Sequence, residues 1–226
     1  LPPAIKLFVD RINGILKEAP LQKLAETQRG ERLSARQNLY FAFHLRGRYK
    51  NNTLELIAEL KDSKTVLVSY HANDPSAGMS TNKDLTRFKL FLCDTGLFTT
   101  LMFKDKDFTE NIIYEKLLND KLGTNLGYLY ENVVAQLLTC NGNELFYYTF
   151  FNESSRHNYE IDFLIAKKNK VCPIEVKSSG YKTHKSLDEF SIKFSNRILQ
   201  KYLVYTKDFS KDKDILCLPA YMISFL

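Results

Sequence analysis

Asp162, Glu175 and Lys177 fall within sixteen residues of one another. They sit in two apolar-alternating segments, Tyr159-Glu160-Ile161-Asp162-Phe163-Leu164-Ile165-Ala166 and Val171-Cys172-Pro173-Ile174-Glu175-Val176-Lys177, separated by Lys167-Lys168-Asn169-Lys170. The alternation predicts two strands, and the short lysine-rich stretch a hairpin loop. A two-residue turn at Lys168 and Asn169 pairs Lys167 with Lys170, and counting outward sets Asp162 opposite Glu175. Side chains alternate faces along a strand, so Glu175 and Lys177 share one face while Ile174, Val176, Phe163 and Ile165 form an apolar one. Two oxygen ligands beside a lysine suit a hard divalent cation and a phosphodiester. The plain alternative is the solvated face of an amphipathic hairpin carrying a cross-strand ion pair, an ordinary arrangement. Against it, like charges directly opposite each other destabilise a sheet unless a cation lies between them.

These residues need elements to position them. Leu126, Leu129, Tyr130, Val133, Leu137 and Leu138 recur at helical spacing ahead of the hairpin. Strands are expected at Leu145–Phe151, Tyr159–Ala166 and Val171–Lys177, a helix at Lys185–Phe194, and strands at Tyr202–Thr206 and Ile215–Leu218. Three consecutive strands imply an antiparallel meander, and a helical crossover to a fourth gives a mixed α/β sheet. Upstream, Leu7, Ile12, Ile15 and Leu16 suggest a helix, 53–60 another, and Thr65–Tyr70 and Phe88–Leu92 a two-stranded ribbon. Helices followed by a ribbon suit a winged-helix module, so the chain divides into a connector at 1–110 and an α/β domain at 111–226.

Composition sets wide bounds. Hydrophobic residues make up 44% and aromatic residues 13%, enough for a core, and no apolar run reaches membrane-spanning length. The net charge of +6 favours polyanionic partners. Cys93, Cys140, Cys172 and Cys217 lack Cys-x-x-Cys spacing, so a zinc site is not expected; buried free thiols in a reducing cytoplasm are. The chain opens Leu1-Pro2-Pro3, which reads as the tail of a longer protein.

The helix–three strands–helix–strand order with Asp162, Glu175 and Lys177 in place resembles the PD-(D/E)XK nuclease superfamily, including Holliday-junction resolvases. Gly127-Tyr128-Leu129-Tyr130-Glu131-Asn132 resembles that group's glycine-x-x-x-glutamate motif. There Glu131 would face the site from the helix, and Gly127 would allow another backbone to approach closely. More narrowly, Phe88 through Leu97, Gly127 through Asn132, Tyr159 through Ile165 and Pro173 through Ser178 are similar to the C-terminal part of prokaryotic AAA-family ATPases ending in a domain of unknown function. The resemblance covers roughly residues 85–226. It implies a restriction-endonuclease-like fold and magnesium or manganese held by Asp162, Glu175, the Val176 carbonyl and Glu131. Lys177 would orient or deprotonate water, or offset phosphate charge. It also implies a preceding ATPase domain that would hold ATP. Gly78-Met79-Ser80-Thr81-Asn82-Lys83-Asp84 lacks the second glycine and following Ser/Thr of a P-loop and reads as a loop.

Two basic clusters offer phosphate contacts: Arg29, Arg32, Arg36, Arg46, Arg48 and Lys50, and Lys167, Lys168, Lys170, Lys182 and Lys185 beside Lys177. His157 and His184 read as surface loop residues, since magnesium prefers oxygen, and Tyr147, Tyr148, Phe150 and Phe151 as packing residues. The expected function is magnesium-dependent DNA cleavage by the tail of an ATPase, with oligomers allowed. The rival is a non-catalytic module of the same fold that binds DNA or protein and regulates the ATPase.

Overall fold

The computed structural model describes residues 51–103, 124–152 and 156–226. The first basic cluster, the N-terminal helical expectation and the boundary at 110 lie outside them.

Helix α1 (Asn51–Asp62) leads into β1 (Val66–Ala72), which pairs antiparallel with β2 (Lys83–Leu92). Between the strands, the glycine-containing stretch is a short 3-10 turn, Met79–Thr81, rather than a phosphate cradle. Asp94 then starts α2 (Thr95–Phe103): its Oδ1 accepts the N–H groups of Gly96 and Leu97, as an N-terminal cap does. Helix α3 (Thr124–Cys140) buries Leu126, Leu129, Val134, Ala135 and Leu138. Gly142, at φ 80°, ends it in the left-handed conformation while its N–H donates to the Thr139 carbonyl.

β3 (Phe146–Asn152), β4 (His157–Lys167) and β5 (Lys170–Val176) form the expected meander. α4 (Lys185–Phe194) crosses to β6 (Lys201–Tyr205), which runs parallel to β5. A short exposed β7 (Ser210–Asp212), absent from the sequence reading, and β8 (Ile215–Pro219) complete one eight-stranded mixed sheet in the order β2-β1-β3-β4-β5-β6-β8-β7. The β1–β2 ribbon therefore does not stand apart as the wing of another module: β1 pairs parallel with β3 and extends the main sheet.

Alternation in β5 and β6 separates two core layers. Cys172, Ile174, Tyr202 and Val204 pack with Phe91, Phe163 and Ile165 under Val134, Ala135 and Leu138 of α3. Val171, Leu203 and Tyr205 pack on the other face with Ile161, Leu164, Leu187 and Phe190, the last two from α4. No helix among the described residues is long and apolar enough to cross a membrane. Cys172 and Cys217 are buried, but Cys93 is half-buried and Cys140 exposed, so the expectation of four buried thiols fails at the end of α3, where the helix leaves the core.

Candidate functional site

The hairpin register matches the count from the turn. Lys167 pairs with Lys170, and the ladder runs to Phe163 opposite Ile174; Asp162 and Glu175 lie one residue beyond its end, close enough for the charge of Glu175 to act on Asp162. One feature of β4 was not legible from alternation. Against β3, Leu164 pairs with Phe146 but Ile161 pairs with Tyr148, so β4 carries an extra residue between them. Ile161 and Leu164 consequently both pack on the α4 side, while Phe163 lies under α3. Asp162 occupies this bulge, a feature that re-aims a side chain at a strand's functional end. Its Oδ2 accepts the Val176 N–H at 2.8 Å, tying β4 to the end of β5.

Around it stand Glu131, Glu160, Glu175, Lys89 and Lys177, each acting on at least one other member of the group. Lys89 is the residue that sequence reasoning missed. It is 2% exposed in β2, its Nζ donates to Glu160 Oε1 at 2.6 Å, and it lies 5.1 Å from the Tyr147 ring centre. The available signal was a lysine inside Phe88-Lys89-Leu90-Phe91-Leu92, whose neighbours on both sides are apolar. Such a charge is buried only with partners. Glu160, two residues before Asp162, was its unread complement.

Glu131 reaches the group because Asn132 fixes α3 on the sheet. The buried Asn132 amide accepts the Leu92 N–H at 2.8 Å and donates to the Leu92 carbonyl at 3.0 Å, capping the β2 edge. Gly127 does not serve a tight backbone approach: a Cβ there would meet Ser178 Oγ at 3.6 Å, ordinary contact.

Glu175 and Lys177 form an ion pair along the strand, Nζ to Oε1 2.7 Å, rather than across the hairpin. The other oxygen, Glu175 Oε2, is buried and has no hydrogen-bond partner. Ser69 Oγ is the other buried side-chain atom of this kind among the described residues, and Ser69 stands opposite Lys89 in the β1–β2 register. Each such atom carries a desolvation cost of about 1–3 kcal/mol that a ligand can relieve.

The electrostatics agree. Four carboxylates face two ammonium groups. Burial, then the charge of Glu131, pushes Asp162 well above the usual carboxylate range, with Lys89 opposing. Burial likewise raises Glu131, Lys89 again pulling the other way. Burial alone would lower both lysines. The neighbouring carboxylates outweigh it, Glu160 first for Lys89 and Glu175 first for Lys177, so both remain charged at neutral pH. Lys177 in this state is a charge donor to an anion and not a ready base.

The orphaned Glu175 oxygen and Asp162 are the side-chain groups here that could hold a divalent cation. Among the described residues no three carboxylate, histidine or cysteine side chains come together in a group that could hold a metal ion, so at most two such ligands are available here and water and an outside ligand would fill the other positions.

The predicted lysine cluster is divided. Lys167, Lys168 and Lys170 surround the hairpin tip, five residues along β4 from Asp162, or about 17 Å at strand spacing. Lys182 and Lys185 are exposed on the segment leaving Lys177, at the site's own end of the sheet. His157 is exposed at the start of β4. His184 precedes α4 with Nδ1 3.0 Å from Asp188 Oδ2, so it has a carboxylate partner of its own. Tyr147, Tyr148 and Phe150 are core residues as expected, whereas Phe151 is 52% exposed.

Comparison with curated proteins and with solved structures finds no match. Residues 126–223 match the model of a family described as a domain of unknown function (DUF4143), a stretch that includes Glu131, Glu160, Asp162, Glu175 and Lys177 and leaves out Lys89.

Proposed function

We propose that this sheet end binds one magnesium or manganese ion and hydrolyses DNA phosphodiesters, as a PD-(D/E)XK-like domain carried behind the ATPase domain of a longer polypeptide. The observation that carries the reading is the buried, unpartnered Glu175 Oε2 next to Asp162, within a group that holds two more carboxylates than ammonium groups. Asp162 and Glu175 would hold the ion with the Val176 carbonyl and water, while Glu131, expected as a further ligand, does not form a three-carboxylate group with them and acts on the site through its charge. When bound, such an ion polarises a phosphoryl oxygen and lowers the pKa of a water. Lys177, kept as an ammonium by Glu175, offsets charge on the phosphate. Asp162 braces the end of β5 through Val176, which keeps Glu175 and Lys177 in place. Lys182 and Lys185 extend the positive surface along the outgoing chain.

The test is cleavage. Purified protein with manganese or magnesium should cut linear, single-stranded or junction DNA. Lys177→Ala should slow it at least about a hundredfold, and Asp162→Ala should abolish it. A wild type that cuts none of these substrates, with and without its ATPase half, overturns the reading.

A second reading is favoured by Lys89. A buried ammonium among Glu131, Glu160 and Asp162 is an internal cation, and it can balance a carboxylate cluster that has no catalytic task. The domain would then be a non-catalytic module holding DNA or protein for the ATPase, and absence of metal-dependent cleavage is its signature.

A further inference from the structure

Beyond Lys89 on the same side of β2 lies Arg87, half-buried on the sheet. Its Nη2 donates to Thr149 Oγ1 at 2.6 Å and its Nη1 lies 3.3 Å from His71 Nδ1, while His71 Nε2 lies 3.1 Å from the same Thr149 hydroxyl. Three strands thus contribute to one cluster: His71 from β1, Arg87 from β2 and Thr149 from β3. Thr149 stands opposite Glu160 in the β3–β4 register, which sets the cluster directly beside the Lys89–Glu160 pair.

Against burial, which raises it, the Asp84 carboxyl is lowered by Thr86 and by Arg87 and His71, but among the described residues no carboxylate pairs directly with Arg87. Glu160 is taken by Lys89. Asp84, whose field Arg87 shares with His71, accepts both the N–H and the hydroxyl of Thr86 on a single oxygen. Among the described residues no carboxylate lies within ion-pair distance of Arg87. A guanidinium has five N–H donors in a planar fork. Here Nη2 is anchored to the Thr149 hydroxyl, and none is held in an ion pair among the described residues. That is the arrangement of a group held in place for an anion.

The geometry points to Arg87, oriented by Thr149 with His71 packed beside it, as a subsite for a phosphate of a polynucleotide strand, next to the scissile position. The assignment rests on the phosphodiester reading above and adds the residue that fixes how the strand crosses the sheet. Guanidinium–phosphate pairs are directional and bidentate, so Arg87 positions the strand as well as attracting it.

The experiment measures binding of fluorescein-labelled single-stranded oligothymidylate to the whole chain by anisotropy, with chelator and no metal, across a salt series. Arg87→Gln should weaken binding about tenfold and reduce the magnitude of the log–log salt slope by about 1, the loss of one phosphate contact. Where Arg87→Gln also lowers the melting temperature, Arg87→Lys decides. A salt slope restored by lysine supports the subsite, and a slope as low as that of the glutamine variant overturns it. Unchanged affinity and slope in Arg87→Gln, or no binding by the wild type at low salt, also overturns it. Manganese binding by the same proteins separates this failure from failure of the metal reading, because Arg87 is outside the proposed ligand set.

Discussion

Replacing Lys89 by methionine keeps the length and apolar character of the side chain while removing the buried ammonium of the site. Its ammonium is bonded to Glu160 at 2.6 Å and lowers the pKa values of Glu131 and Asp162, so deletion strands three carboxylates at once. Removing one partner of a fully buried ion pair costs about 3–5 kcal/mol. Glu160 is 35% exposed and can be hydrated, so the expected loss is about 2–3 kcal/mol. For a domain of this size that lowers the melting temperature by about 5–10 °C. The pH dependence has a definite sign. Without the ammonium, the folded-state pKa values of Glu131 and Asp162 rise further above their unfolded values. Stability from such groups is present below the unfolded values and is lost as pH rises through the folded ones. The deficit of Lys89→Met should therefore be largest near neutrality and shrink toward pH ~5. Thermal melts of wild type and variant across that range, without metal, give the answer. A variant as stable as wild type at neutral pH, or a deficit that grows on acidification, refutes the internal-cation account of Lys89.

Three further outcomes follow from the same geometry. Asp162→Asn keeps an acceptor for the Val176 N–H but removes a charge that burial and Glu131 oppose, so without metal it should be more stable than wild type at neutral pH, with the difference fading as acid protonates Asp162 in the wild type; melts at two pH values check this. Gly127→Ala should be neutral or stabilising by up to about 1 kcal/mol in chemical denaturation, because the new methyl meets only Ser178 Oγ at 3.6 Å inside a helix; a loss above that size would reveal a tighter contact. Asn132→Ala leaves both backbone groups of Leu92 without their side-chain partner and should cost about 1–3 kcal/mol, read by the same denaturation and by faster hydrogen exchange at Leu92.

Much of the meander was legible because its signals are local. Lysine-rich residues at the turn set the register, and the parity of Ile174, Val176, Phe163 and Ile165 assigned the apolar face. The bulge at Asp162 was not, since its one local trace, the adjacent apolar pair Phe163-Leu164, fits a strand buried on both faces equally well. It exists because β4 must satisfy β3 and β5 together. The start of α2 went unread, although Asp94, just past the end of β2, is a residue type that caps helices and does so here. Lys89 was hidden for a different reason. Its partners Glu131, Glu160 and Asp162 lie 42 or more positions away in sequence, and only the parallel pairing of β1 with β3 brings β2 to them. The placement of the ribbon within the main sheet is likewise a tertiary fact, invisible to a reading that proceeds strand by strand.

The central claim is that the Asp162–Glu175 pair forms a site for one divalent cation, and calorimetric titration with manganese tests it most directly. The wild type should bind a single ion at neutral pH, and binding should weaken as pH falls, because burial raises Asp162 and Glu131 and protons then compete with the ion for the site. Asp162→Asn and Glu175→Gln should each abolish that binding while remaining folded. No heat of binding at millimolar manganese, or binding that survives both substitutions, contradicts the account.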